Sequence, residues 1–204
     1  MTDDVARWAA ELQSLAQAGL FYGHDDFDKE RYQRIREISV EMLATRTDVP
    51  KERLTDLFCG DVGYQTPKVD TRAAIFESDR ILLVRERDGR WSLPGGWCDF
   101  DLSPAANVVK EVREEAGLDA TVRSLIAVHD RDLHNAPPYI YHVVKIFYLC
   151  EAAGGHFEQN IETTESAYFA REELPNLAVA KCSLDQVEMC FSAHDDPHWV
   201  ARFD

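Results

Sequence analysis

LPGGWCDFDLSPAANVVKEVREEAGL, residues 93–118, opens as a glycine-rich bend and turns into a helix. Ser103 carries the hydroxyl that an N-cap needs, Pro104 suits the first helical position, and Gly117 stands where a left-handed terminating residue is wanted. At about 100° per residue, Ala105, Val108, Val109, Val112 and Ala116 form one stripe, the face predicted to pack on a sheet. Glu111 and Glu115 lie together beside that stripe, and Glu114 stands roughly 60° further round from Glu111. Carboxylates at i, i+3 and i+4 repel one another, so something positive is expected among them. Lys110 and Arg113 supply it if the glutamates are only a solvated face. A divalent cation supplies it if they are a site. The bend favours the second reading, because Gly95 and Gly96 let backbone carbonyls and a diphosphate come close. Several carboxylates with a carbonyl form a hard oxygen site suited to magnesium or manganese.

Outward from this segment, KVDTRAAIF (68–76) and RILLVRE (80–86) are strand-like runs separated by the turn-prone ESD. Further strands are predicted over 120–129 and 140–151, the latter apolar enough for a strand buried on both faces. A last helix is predicted over Leu184–Ala193. The N-terminal third is different. Residues 3–20 place Val5, Trp8, Ala9, Leu12, Leu15 and Ala16 on one helical face, with Gly19 as a stop signal. A second helix is expected from Asp25 or Asp26 to about Ala44, with Tyr32, Ile35, Ile38, Met42 and Leu43 inward, and a third over Lys51–Phe58. The change of pattern sets a domain boundary near residue 65, giving a helical domain (1–65) and an α/β domain (66–204).

The 204 residues, 45% of them apolar, suffice for a packed core. With 22 Lys plus Arg against 37 Asp plus Glu, the formal charge of −15 opposes attraction to a nucleic-acid backbone, so a DNA partner is disfavoured. A small anionic ligand is still admissible, because a bound cation reverses the local field. No apolar run approaches the roughly 18 residues of a membrane span. The first fifteen residues are acidic and amphipathic, unlike a signal peptide, so a cytoplasmic location is expected. Five scattered cysteines without a CxxC pair read as reduced and mostly structural.

Gly96, Glu111, Val112, Glu114, Glu115, Gly117 and Leu118 sit at the spacings of the Nudix box, G-x5-E-x7-R-E-U-x-E-E-x-G-U, where U is aliphatic, and the chain resembles that family. Leu102 stands where the box has its first Glu, and Lys110 where it has Arg. DLFCGDVGYQTPKVDTRAA (56–74), WSLPGGWCDFDLSPAANVVKEV (91–112) and HFEQNIETTESAYFAREELP (156–175) look like the branch acting on X-linked nucleoside diphosphates, which includes ADP-ribose and CDP-choline pyrophosphatases. That branch also has an apolar residue at the position of Leu102.

The resemblance implies an α/β/α sandwich with a mixed sheet, preceded by a small all-helical domain. It implies Mg2+- or Mn2+-dependent hydrolysis of a nucleoside diphosphate linked to X, giving a nucleoside monophosphate and phospho-X. Glu111 and Glu115 would be the principal metal ligands, with Glu114 as a ligand or base and the Gly96 carbonyl completing the sphere. A base could instead come from IETTES, where Glu165 is favoured over Glu162, against the alternative of a loop glutamate without a role. Arg72 and Arg85 could clamp phosphate beside Gly95 and Gly96, although ion-paired arginine is commoner. Trp97, Tyr139 and Tyr141 read as base-stacking or core aromatics, while His129, His134 and His142 show no recognised metal spacing. The helical domain implies a homodimer, or else a cap on the second domain. Three other readings stay open: a pyrophosphohydrolase of RNA 5′ ends or damaged nucleoside triphosphates, a non-catalytic nucleotide sensor, and a helical interaction module on a Nudix scaffold.

Overall fold

Three helices, α1 (Asp4–Tyr22), α2 (Asp26–Ala44) and α3 (Lys51–Phe58), form most of the N-terminal unit in a computed structural model that describes residues 4–137, 139 and 141–204. This unit comprises residues 4–67 with Tyr139, Tyr141 and His142; residues 68–137 and 143–204 form the other. The first residue of the expected first helix, Asp3, and the first of the expected strand at 140–151, Ile140, lie outside the described residues. Asp25 caps α2 by accepting from the Asp28 backbone N–H. Gly19 does not end α1; a Cβ there would lie 2.5 Å from the Tyr32 ring, so the glycine serves close packing of α1 on α2.

Ala9, Val40, Leu43, Leu54 and Phe58 build the core of this unit. Three residues expected inside face outward: Trp8 is 48% exposed, Leu15 60% and Ile38 37%. Gln13 and Gln17 are buried in their place, with Gln13 Nε2 donating to Gln17 Oε1 and Gln17 Nε2 to the Gly63 carbonyl at 2.9 Å. Helical periodicity counts apolar residues; it does not see an amide that finds its partner 46 residues away.

The second unit begins with a hairpin of β1 (Lys68–Glu77) and β2 (Arg80–Glu86). Ser78 and Asp79 take φ of 50° and 60° in its two-residue turn, whose twist matches that of the flanking strands. There follow β3 (Trp91–Ser92), α4 (Pro104–Ala116), β4 (Leu118–Asp130), α5 (Arg131–His134), β5 (Val143–Gly155), β6 (Thr163–Phe169), α6 (Leu184–Asp195) and β7 (Arg202–Phe203). The seven strands form one mixed sheet in the order β3-β2-β1-β5-β4-β7, with β6 on β2. The β1–β5 pair is parallel, from Lys68 opposite Val143 to Ile75 opposite Cys150. Val108, Val112 and Ala116 of α4 pack with Ala73 and Ile75 on one face. Val187, Cys190 and Phe191 of α6 pack with Ala74 and Phe147 on the other, completing an α/β/α sandwich.

One strand departs from its expected character. β5 alternates buried and half-buried residues as far as Tyr148, and its end, Glu151–Gly155, is exposed, so it is not buried on both faces. All five cysteines are free and four are buried, with burial pushing the thiol of Cys150 up to about 12 and that of Cys182 to about 11. Among the described residues no helix is long and apolar enough to cross a membrane.

Candidate active site

Residues 94–98 run antiparallel to β1 and are hydrogen-bonded to it. The Ala73 N–H donates to the Pro94 carbonyl, the Thr71 N–H to the Gly96 carbonyl, and the Cys98 N–H to the Val69 carbonyl, all within 2.8–2.9 Å. Gly95 makes this approach feasible, since its φ is 143° and a Cβ would fall 1.9 Å from the Thr71 carbonyl oxygen. The helix that follows is capped as its sequence requires: Ser103 accepts from the Ala106 N–H, and Gly117 ends α4 with φ of 69°. Asn160 Nδ2 donates to the Glu114 carbonyl at 2.9 Å and the Thr163 hydroxyl to the Glu115 carbonyl at 2.8 Å, satisfying carbonyls of the last turn.

Loop and helix meet at two carboxylates. The Gly95 N–H donates to Glu115 Oε2 at 2.8 Å, and Glu111 Oε2 lies 3.0 Å from where a Cβ of Gly96 would stand. Both glutamates are only 8% exposed. Burial pushes the Glu115 carboxyl up to about 7 against the opposing pull of Arg72 and the Gly95 N–H. Burial likewise raises that of Glu111, against Lys110. Glu114 is exposed and held by Lys110 Nζ at 2.8 Å; the same ammonium reaches Asp99 at 3.1 Å and Glu111 at 3.4 Å. Asn107 lies one turn before Glu111 and is fully buried. It accepts from the Asp99 N–H at 3.0 Å and donates to Thr71 Oγ1 at 3.0 Å and the Trp97 carbonyl at 3.1 Å. This side chain was not singled out in the sequence; its signal was a weak helix former on the flank that carries Glu111.

Residues 66–188 match the model of the NUDIX domain. The chain belongs to the Nudix hydrolase family. Residues 3–58 match a second model, the UDP-X-like N-terminal oligomerisation domain. A Bacillus subtilis protein provisionally named an ADP-ribose pyrophosphatase is 43% identical over 197 residues, covering 96% of this chain and 95% of its own. The crystal structure of a Streptococcus suis ADP-ribose pyrophosphatase is similar at 50% identity and a TM-score of 0.64, covering 68% of this chain and all (100%) of its own. That of a UDP-X diphosphatase is similar over 100% of both chains, at 30% identity and a TM-score of 0.65.

Within this Nudix site one of the two departures from the box is offset nearby. Leu102 cannot meet Lys110 with a carboxylate, and Asp99, three residues earlier, meets it instead. The expected site residues fall into two groups. Gly95, Gly96, Glu111 and Glu115 converge at the loop–helix junction, with Glu114 on the outer side of α4. Arg85 and Glu165 face each other across the β2–β6 pair, 3.5 Å apart and about half exposed. Arg72 does not meet the expectation of a phosphate clamp. Strand alternation puts it on the face of β1 shared with Ala74, where it is 3% exposed. Its guanidinium is held by both Asp70 oxygens at 2.8 and 2.6 Å and donates to the Leu93 carbonyl at 3.1 Å. Glu162 lies in the exposed turn before β6, its N–H donating to Asn160 Oδ1.

Proposed function

We propose that the protein is a pyrophosphatase for X-linked nucleoside diphosphates, cleaving the diphosphate bridge to give a nucleoside monophosphate and phospho-X. The observation that carries this reading is the pair Glu111 and Glu115, nearly withdrawn from water against the Gly95–Gly96 bend. The named relatives support a substrate such as ADP-ribose or a UDP-linked compound.

The donor set fits a divalent hard cation, Mg2+ or Mn2+. Burial raises both carboxyls despite the pull of Lys110 and Arg72, so a dication that replaced lost water would favour their charged forms, and the Gly96 carbonyl, which accepts from Thr71 N–H, retains a second lone pair. Glu111, Glu115 and that carbonyl would hold the ion, with Glu114 reaching it on release from Lys110. When bound, such an ion neutralises diphosphate oxygens and makes water nucleophilic near neutral pH. The remaining work falls to the chain. The Gly95 N–H aims the Glu115 carboxylate, Asn107 holds the bend against α4, Arg85 binds phosphate oxygen and Glu165 takes the proton from the attacking water.

The test is a panel of ADP-ribose, UDP-linked sugars, CDP-choline and dinucleoside polyphosphates with added magnesium, with products identified. Release of a nucleoside monophosphate is expected. Glu115→Gln should lower turnover by roughly three orders of magnitude with the fold retained. Near-normal turnover in that variant, or binding of the whole panel without hydrolysis, would sink the reading.

A further inference from the structure

Beyond α4, the fold gathers three metal-ligating side chains, from β4, from α5 and from the residue that follows β7. Strand β7 pairs in parallel with β4, Ala127 with Arg202 and Val128 with Phe203, which carries Asp204 alongside His129. The short helix α5 brings His134 back so that its ring stacks on that of His129, with centroids 3.8 Å apart and planes 12° from parallel. Ligand atoms of His129, His134 and Asp204 all lie within 4.8 Å of one another.

A hydrogen bond explains part of this arrangement. His134 Nε2 lies 2.8 Å from Asp204 Oδ1, while Asp204 Oδ2 accepts from the Asp130 N–H at 2.6 Å. It does not explain His129. That residue is 7% exposed, yet among the described residues its Nδ1 has no hydrogen-bond partner. A buried imidazole nitrogen without a protein partner is uncommon in a core, and its lone pair is available to a cation. Two imidazoles and a carboxylate form a set of intermediate softness, suited to zinc-class cations and distinct from the all-oxygen set at Glu111 and Glu115.

We propose that His129, His134 and Asp204 bind a zinc-class divalent cation that pins the β7 segment to β4, at a site separate from the hydrolytic one. On binding, the proton shared by His134 and Asp204 would leave to solvent, and the stacked His129 and His134 rings would turn out of parallel so that one nitrogen of each faces the ion. The Asp130 N–H keeps the carboxylate oriented. His134 and Asp204 are each about 28% exposed at the side chain, which gives the ion a path from solvent.

The experiment is a calorimetric titration of Zn2+ into the full chain in excess Mg2+, with thermal unfolding followed in parallel. Binding of one equivalent and a rise in Tm are expected. His134→Ala and Asp204→Asn should each weaken zinc binding by roughly two orders of magnitude and abolish the Tm rise. Glu115→Gln should leave both intact, and magnesium-dependent hydrolysis should persist in the His134 and Asp204 variants. Zinc binding that survives both of those substitutions, or is lost only in Glu115→Gln, would overturn the proposal, as would no binding in the wild type.

Discussion

Asn107 and Lys145 are the single residues on which the site's surroundings most depend. Removing the Asn107 side chain takes a hydrogen-bond partner from the buried Thr71 hydroxyl and from the Asp99 N–H and Trp97 carbonyl at its edge. Of these only Thr71 is buried, and an unmet buried polar group costs about 1–3 kcal/mol, so Asn107→Ala should lose roughly that much in chemical denaturation. Its kcat should fall more than its KM rises, and an unchanged kcat would remove Asn107 from the positioning of the bend. Lys145 is 2% exposed and donates to Asp70 at 2.7 Å, beside the bidentate Arg72–Asp70 pair. Burial, joined by repulsion from Arg72, lowers the ammonium from 10.5 to about 8. The unfolded lysine therefore binds more protons than the folded one across that window, and this group's contribution to stability rises with pH from about 8 to 10.5. Lys145→Met should abolish that rise. It should cost little at neutral pH, because Asp70 keeps Arg72. The difference in unfolding free energy between wild type and variant, at neutral and alkaline pH, checks both points; a pH-independent difference would refute the first.

Between the loop and α4, the decisive element is the backbone ladder of residues 94–98 on β1. Side chains cannot replace it, since its partners are the N–H and carbonyl groups of Val69, Thr71 and Ala73. Gly95→Ala would drive a methyl into the Thr71 carbonyl at 1.9 Å and hold a non-glycine residue at φ of 143°. The ladder should open and Glu115 should lose its Gly95 N–H. Turnover is expected to fall by about 100-fold or more with helix content unchanged by circular dichroism. Wild-type turnover in this variant would show that the bend does not orient the carboxylates. The boundaries of α4 itself were legible in the chain, because Ser103, Pro104 and Gly117 act on their immediate neighbours. The extent of β5 was less so: apolar content predicted burial on both faces, whereas its final residues, Glu151–Gly155, are exposed.

For the whole molecule, the exposed apolar side chains of the helical unit bear on assembly. Trp8 and Leu15 lie two turns apart on one face of α1, and Phe27 near the start of α2 is 69% exposed. Residues 3–58 match the model of an oligomerisation domain, and apolar residues left uncovered in one chain are what a second copy would bury. A homodimer in solution is the expected outcome, and Trp8→Glu with Leu15→Glu should shift it to monomer without loss of helix. Sedimentation velocity decides; a monomeric wild type would remove the dimer.

Local sequence determined the ends of α4, the strand-to-turn alternation of the hairpin and the glutamate spacing, because capping, glycine conformation and periodicity act within a few residues. Tertiary structure alone decided which carboxylates leave water, that Asp99 rather than residue 102 meets Lys110, and that Arg72 is held inside by Asp70. It also turned Trp8 and Leu15 of α1 outward and set Asp204 beside His134, 70 residues away. Such outcomes depend on which partner a buried polar group meets through space, and a one-dimensional pattern does not contain that distance.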